Sequence, residues 1–153
     1  MHKPRIYIDT SVLGGCFDDE FKEWSNKLFD EFASGKKIAV VSDILIKELE
    51  DAPQRVKDKF NLLPSSFRED VVVDNEVIEL ANTYINENIV SYNYYNDALH
   101  IALATVNKID ILISWNFKHI VNYNKIILYN SVNIKMGYPY IEIRNPRELA
   151  DEN

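Results

Sequence analysis

The chain is poor in several things, and each shortage excludes a class of protein. It has one cysteine, Cys16, so no disulfide can form within it, and a secreted disulfide scaffold is excluded. Only four glycines and five prolines occur among 153 residues, too few for long linkers or a collagen-like repeat. No apolar run approaches the length of a membrane helix, and the polar start, residues 1–5, lacks a secretory leader pattern. A cytoplasmic location away from membranes is therefore expected. Positive charge is short as well: 17 Lys and Arg stand against 24 Asp and Glu, a net charge of −7. That balance excludes a simple electrostatic binder of nucleic acid or anionic lipid. Carboxylates that hold a metal are the remaining route to a phosphodiester.

What is present is ordinary for a globular chain: 46% hydrophobic and 27% charged residues. The length predicts one domain over residues 1–153, and no internal repeat is visible. Short apolar strands are predicted at 5–8, 38–41, 71–73, 111–113 and 140–143. Helices are predicted at 17–33, from Ser42 as cap, from Pro53 to about Leu62, at 76–86 after Asp74 or Asn75, at 93–107, at 125–136, and briefly after Asn145. Alternating strands and helices predict an α/β fold: a parallel sheet of about four or five strands with helices on both faces.

In such sheets ligands bind beyond the carboxyl ends of the strands. Asp9 directly follows the first strand. Asn116 follows strand 111–113, after Ser114 and Trp115. Glu48 lies about a turn and a half into the helix after strand 38–41, and Asp97 sits near the start of helix 93–107. Each has a plain reading alone: Asp9 as a turn or cap residue, Glu48 on a solvated face, Asp97 as a partner for the helix dipole. Converging carboxylates repel, and need a cation or protonation. Oxygen ligands select a hard cation, magnesium or manganese. Glu50 rivals Glu48, but positions two apart on a helix differ by about 200°, so both cannot face one site. The spacing from Ser42 favours Glu48.

Four segments, in order, resemble the PIN-domain family, especially VapC-like toxins of toxin–antitoxin pairs. They are Ile6-Tyr7-Ile8-Asp9-Thr10-Ser11-Val12-Leu13, Ser42-Asp43-Ile44-Leu45-Ile46-Lys47-Glu48-Leu49, Asp97-Ala98-Leu99-His100-Ile101-Ala102-Leu103-Ala104 and Leu112-Ile113-Ser114-Trp115-Asn116-Phe117-Lys118-His119-Ile120. The likeness runs from about residue 5 to residue 149 and takes in the closing Asn145-Pro146-Arg147-Glu148-Leu149. It implies a three-layer α/β/α PIN-like fold and a magnesium- or manganese-dependent endoribonuclease acting on RNA. Asp9, Glu48 and Asp97 match the acidic positions that hold the metal, directly or through water. Ser11 and Ser114 match supporting hydroxyl positions. The fourth position is usually Asp; Asn116 implies either weaker hold on a second metal or a positioning role. The resemblance further implies an antitoxin partner and a homodimer.

Trp115, Lys118 and His119 are candidates for touching substrate, the first by stacking on a base and the others through a phosphate; core packing for Trp115 and a plain surface role for the other two are the alternatives. His100, three residues after Asp97, either assists proton transfer or is packed and bonded to a neighbour. Cys16 reads as a small packed residue. The tyrosine-rich stretch 84–95 reads as exposed aromatic surface for a partner, and helix 17–33, with Phe21 and Trp24, as a wall of the antitoxin groove. Two other classes compete: a PIN-like RNA- or protein-binding module without turnover, and a phosphotransfer enzyme with Asp9 as nucleophile. The latter wants a second Asp at position 11, where this chain has Ser.

Overall fold

Apolar strands buried on both faces are the frame of the molecule, as parallel sheets require. The computed structural model describes residues 3–151; the outermost residues of the expected 1–153 unit lie outside them. In chain order the elements are β1 (Arg5–Ile8), α1 (Thr10–Gly15), α2 (Lys22–Ala33), β2 (Ile38–Ser42), α3 (Asp43–Leu49), α4 (Gln54–Asn61), β3 (Arg68–Val71), α5 (Asn75–Asn86), α6 (Tyr95–Val106), β4 (Ile111–Ile113), α7 (Tyr123–Lys135), β5 (Glu142–Arg144) and α8 (Pro146–Asp151). The five strands form one sheet in the order β3-β2-β1-β4-β5, and every neighbouring pair is parallel. The α/β class, the parallel sheet and the strand count are thus as expected.

Side chains alternate between two cores. Ile6, Ile8, Ala39, Val41 and Ile113 join the core under α1, α2, α3 and α4, while Tyr7, Val40, Leu112 and Ile143 join the one under α5, α6 and α7. Helix α6 is buried continuously from Ala98 to Thr105, so it is the inner helix of its layer. Ser42 and Asp74 cap α3 and α5, accepting from the backbone N–H of Leu45 and Val77.

Several boundaries differ from the sequence expectation. Residues 10–15, for which the sequence predicts no element, form helix α1, and α2 starts at Lys22 rather than residue 17, because Asp18 O accepts from both Phe21 and Lys22 in a separate turn. The third strand is Arg68–Val71, not 71–73: it is an edge strand, where charged side chains face water and hydrophobic patterning is weak. The last strand starts at Glu142 because the Asn130 side chain takes both the N–H and the carbonyl of Ile141. The tyrosine-rich stretch is not uniformly exposed: Tyr84 is fully buried, whereas Tyr92 is 73% exposed.

Gly15 lets α1 approach the sheet edge. A Cβ there would lie 2.6 Å from Trp115 Nε1 and 2.7 Å from Ser25 Oγ. Gly15→Ala is expected to cost about 1–3 kcal/mol through overpacking, measured as a lowered thermal midpoint. An unchanged midpoint would show that the Trp115–Ser25 contact gives way freely.

Candidate active site

The chain runs outward from β1 to β2 and β3 on one side and returns to β4 and β5 on the other, so the strand order reverses between β1 and β4. That switch point is where open parallel sheets leave a crevice at their carboxyl ends. Asp9 leaves β1 there, and Ser114 leaves β4. Register pairs Ile8 with Ile113, so the next residues on each strand face each other.

Asp9 occupies the N-cap position of α1, yet its side chain makes no capping bond. Its carboxylate instead accepts from Ser11 Oγ and Ser114 Oγ, both at 2.5 Å. Those hydroxyls are fixed in turn by the backbone N–H groups of Trp115 and Asn116, at 2.8 and 2.9 Å. The capping alternative for Asp9 therefore does not describe it. Only 5% of Asp9 is exposed. Burial pushes its carboxyl above the ordinary 3.8; His100 and the two serines pull it back, and Glu48 adds to the rise.

Glu48 is brought to the same edge by α3, and Glu50 is exposed. Glu48 Oε1 accepts from Thr10 Oγ1 at 2.8 Å and lies 2.8 Å from His100 Nε2. Burial works against its charge, but the bond and charge of His100, with Thr10 and Asn96, outweigh it and lower its pKa. His100 is 2% exposed, and its Nδ1 is 2.6 Å from the Tyr7 hydroxyl, which also meets Ser42 Oγ at 2.8 Å. Burial pushes the imidazole down; Glu48, then Asp9 and Asp97, more than reverse that and raise it. His100 is thus packed and bonded between Tyr7 and Glu48.

Asp97 sits half-buried in the first turn of α6. Burial raises its carboxyl, as do the charges of Asp9 and Glu48, while His100 and the Asn116 side chain oppose the rise. Asn116 Oδ1 accepts from the backbone N–H of Lys118 and His119, at 3.2 and 3.0 Å, so its amide is left for Asp97. The three carboxylates lie within electrostatic reach of one another. Among the described residues, no group of three His, Cys, Asp or Glu side chains is arranged to hold one ion.

Trp115 is buried: Phe21 stacks on it at 4.0 Å, and its Nε1 donates to Ser25 Oγ at 2.9 Å. A base cannot use the face that Phe21 covers. Lys118 is exposed, its Nζ 5.7 Å from the Tyr94 ring centre. His119 is not on the surface as expected; it is 7% exposed, lies 3.8 Å from the Tyr94 ring, and neither ring nitrogen has a hydrogen-bond partner among the described residues. Cys16 is buried, and burial pushes its thiol up to about 11. Sequence reasoning missed Thr10, Tyr7 and Asn96. Tyr7 had a signal: a hydroxyl in a buried strand needs a partner.

No family model matches the sequence, and no curated protein sequence matches it. Solved structures do match. VapBC2 from Rickettsia felis, bound to a DNA fragment from their promoter, superposes with a TM-score of 0.59 at 13% identity, over 92% of this chain and 98% of that one. A VapC toxin of Mycobacterium tuberculosis, described as Sarcin-Ricin loop cleaving, gives 0.57 at 13%, over 89% and 98%. A toxin–antitoxin complex from Klebsiella pneumoniae gives 0.54 at 17%, over 74% and 88%. At these identities the likeness is one of fold, and the fold of this chain is the PIN-like fold of the VapC-type toxin structures.

Proposed function

We propose that the chain is a magnesium- or manganese-dependent endoribonuclease and the toxin half of a toxin–antitoxin pair. The observation that carries this is the buried Asp9 carboxylate, held by two serine hydroxyls at the switch point and within electrostatic reach of Glu48 and Asp97. The donor set is all oxygen, which suits a hard cation, and Asp9 and Asp97 both carry raised pKa values that a cation would reverse. One or two carboxylates with water completing the shell is how magnesium is usually held, so a three-residue cage is not required. Asp9 and Asp97 would hold the ion, and Glu48 would meet it through water. The ion supplies water activation and neutralises charge developing on the phosphoryl oxygens.

Glu48 takes the proton of the attacking water, and its carboxylate is kept ionised and aimed by His100 and Thr10. Attack at phosphorus breaks the bond to the 3′ oxygen, which leaves with the bonding electron pair and takes a proton from solvent water to become the 3′ hydroxyl, while the phosphate stays on the 5′ side. Asn116 positions Asp97 rather than acting as a ligand, since its carbonyl oxygen is committed to two backbone N–H groups. The antitoxin part of the reading draws on the toxin–antitoxin complexes of the same fold. A homodimer is supported by the exposed Ile127, Leu128 and Ile134 on α7.

The test is cleavage of a mixed RNA panel by purified protein freed of any co-purifying partner, with manganese, with magnesium and with EDTA. Cutting is expected with either metal and none with EDTA. Cutting that ignores EDTA overturns the metal mechanism. No cutting, together with no rise in thermal midpoint on adding manganese, favours the binding module without turnover.

A further inference from the structure

The segment 114–117 has two sides. Ser114 and Asn116 serve the acidic edge; Trp115 and Phe117 turn towards a separate cleft of about 250 Å³, also lined by Phe21, Trp24 and Arg147. The Trp115 N–H is bonded to Ser11 Oγ, which bonds Asp9, so the cleft wall is two hydrogen bonds from the buried carboxylate. Phe117 is 47% exposed and lies open beside the two other rings. Its centroid lies 6.1 Å from Trp115 and 6.3 Å from Phe21. Arg147 is exposed, and its guanidinium lies 5.3 Å from the Trp24 ring centre.

We propose that this cleft seats one unpaired nucleotide of the RNA strand next to the phosphate at the acidic edge, its base against Phe117 and Trp24 and its phosphate on Arg147. The inference rests on the nuclease reading above. Aromatic walls suit a flat base without selecting its edge, and a guanidinium suits a phosphate bidentately. Charge decides between occupants. A chain of net charge −7 has no general attraction for RNA, so a strand must be gripped by local cations near the cut. A duplex keeps its bases stacked and cannot offer one to the cleft. Glu20, also on the lining, leaves the Arg147 side as the place for the phosphate.

Trp24 and Trp115 are the two tryptophans of the chain, and both line the cleft, so intrinsic fluorescence reads it directly. Asp9→Asn protein, which is expected to leave RNA uncut, is titrated with single-stranded hexauridylate and hexaadenylate in magnesium, beside a duplex of the same length. A fluorescein-labelled hexamer gives total binding by anisotropy. Single strands are expected to change the fluorescence saturably, and the duplex is not. Phe117→Ala and Arg147→Ala, both at exposed positions, are each expected to weaken binding about five- to tenfold without loss of folding. Arg147→Lys is expected to recover part of the loss. Anisotropy that reports binding while fluorescence stays flat, or affinity unchanged in both variants, overturns the cleft and leaves the nuclease reading to the cleavage assay. A cleft reserved for a protein segment gives no fluorescence change with any oligonucleotide, and that too overturns the proposal.

Discussion

Asp9→Asn is expected to lower metal-dependent RNA cleavage by at least about a thousandfold, because metal-assisted stabilisation of the transition state is worth several kcal/mol. The same substitution is expected to raise stability in EDTA. Burial holds the Asp9 carboxyl above its ordinary 3.8, so the native chain binds a proton there more tightly than the unfolded chain does. Stability then falls as pH rises from the ordinary carboxylate range through the raised folded value, and at neutral pH the cost is fully present. Asparagine removes the charge and keeps the shape; one serine hydroxyl goes on donating to its carbonyl oxygen, and the other can rotate to accept from its NH2. In EDTA at pH 7 the variant should melt about 2–4 °C above the parent, the shift expected for roughly 1 kcal/mol in a chain of this size. Manganese should raise the parent and leave the variant in place. Thermal melts with and without manganese, beside the cleavage assay, decide it. A variant that cuts normally sinks the site; one that melts lower in EDTA sinks the electrostatic account.

His100→Ala should have the second large effect, and mainly on stability. The imidazole bridges the Tyr7 hydroxyl and Glu48 inside the core. Its removal leaves a cavity and strips a partner from the buried Tyr7 hydroxyl and the half-buried Glu48 carboxylate, at a cost of about 2–4 kcal/mol. That corresponds to a fall of roughly 5–15 °C in the midpoint. Cleavage should fall about 10–100-fold beyond any unfolding, in kcat rather than KM, because Glu48 loses its orientation.

The pH dependence gives a sharper check. The His100 pKa is raised in the folded chain, so its contribution is full below the ordinary 6.5 and fades as pH rises through the folded value. Glu48 is lowered, so its contribution is full above the ordinary 4.5 and fades as pH falls through its folded value. Asp9 and Asp97 also face the imidazole and favour its charge. In EDTA, the gap in midpoint between parent and His100→Ala should therefore be widest between about pH 4.5 and 6.5 and narrow on both sides. A gap that is flat across pH would falsify the ion-pair account of His100.

The sequence alone carried much of what depends on short-range pattern. Apolar runs identified β1, β2 and β4, and the preference of Ser and Asp for helix starts placed Ser42 and Asp74 as caps. The alternation of elements was enough for a parallel sheet, and hence for the edge where Asp9, Glu48 and Asn116 belong. Patterning failed where packing or side chains overrule it. The polar β3 holds its place as an edge strand, and Asn130 withholds Ile141 from β5.

Most partners inside the site lay beyond sequence because they join residues 35 to 105 positions apart. Only the register of β1 against β4 and β2 sets Ser114 on Asp9 and Tyr7 against Ser42. Sequence leaves Asn116 open as a ligand or a positioning residue; the fold adds that its carbonyl oxygen accepts from two N–H groups of its own turn, which supports the positioning role proposed above. His119 and Trp115 looked alike, as polar or aromatic residues beside the site. Tertiary packing decided both, burying one against Tyr94 and the other against Phe21 and leaving Phe117 open. Local free energies decide which residues make a helix or a strand; which side chains meet is decided by how those elements stack, and a single sequence does not state that distance by distance.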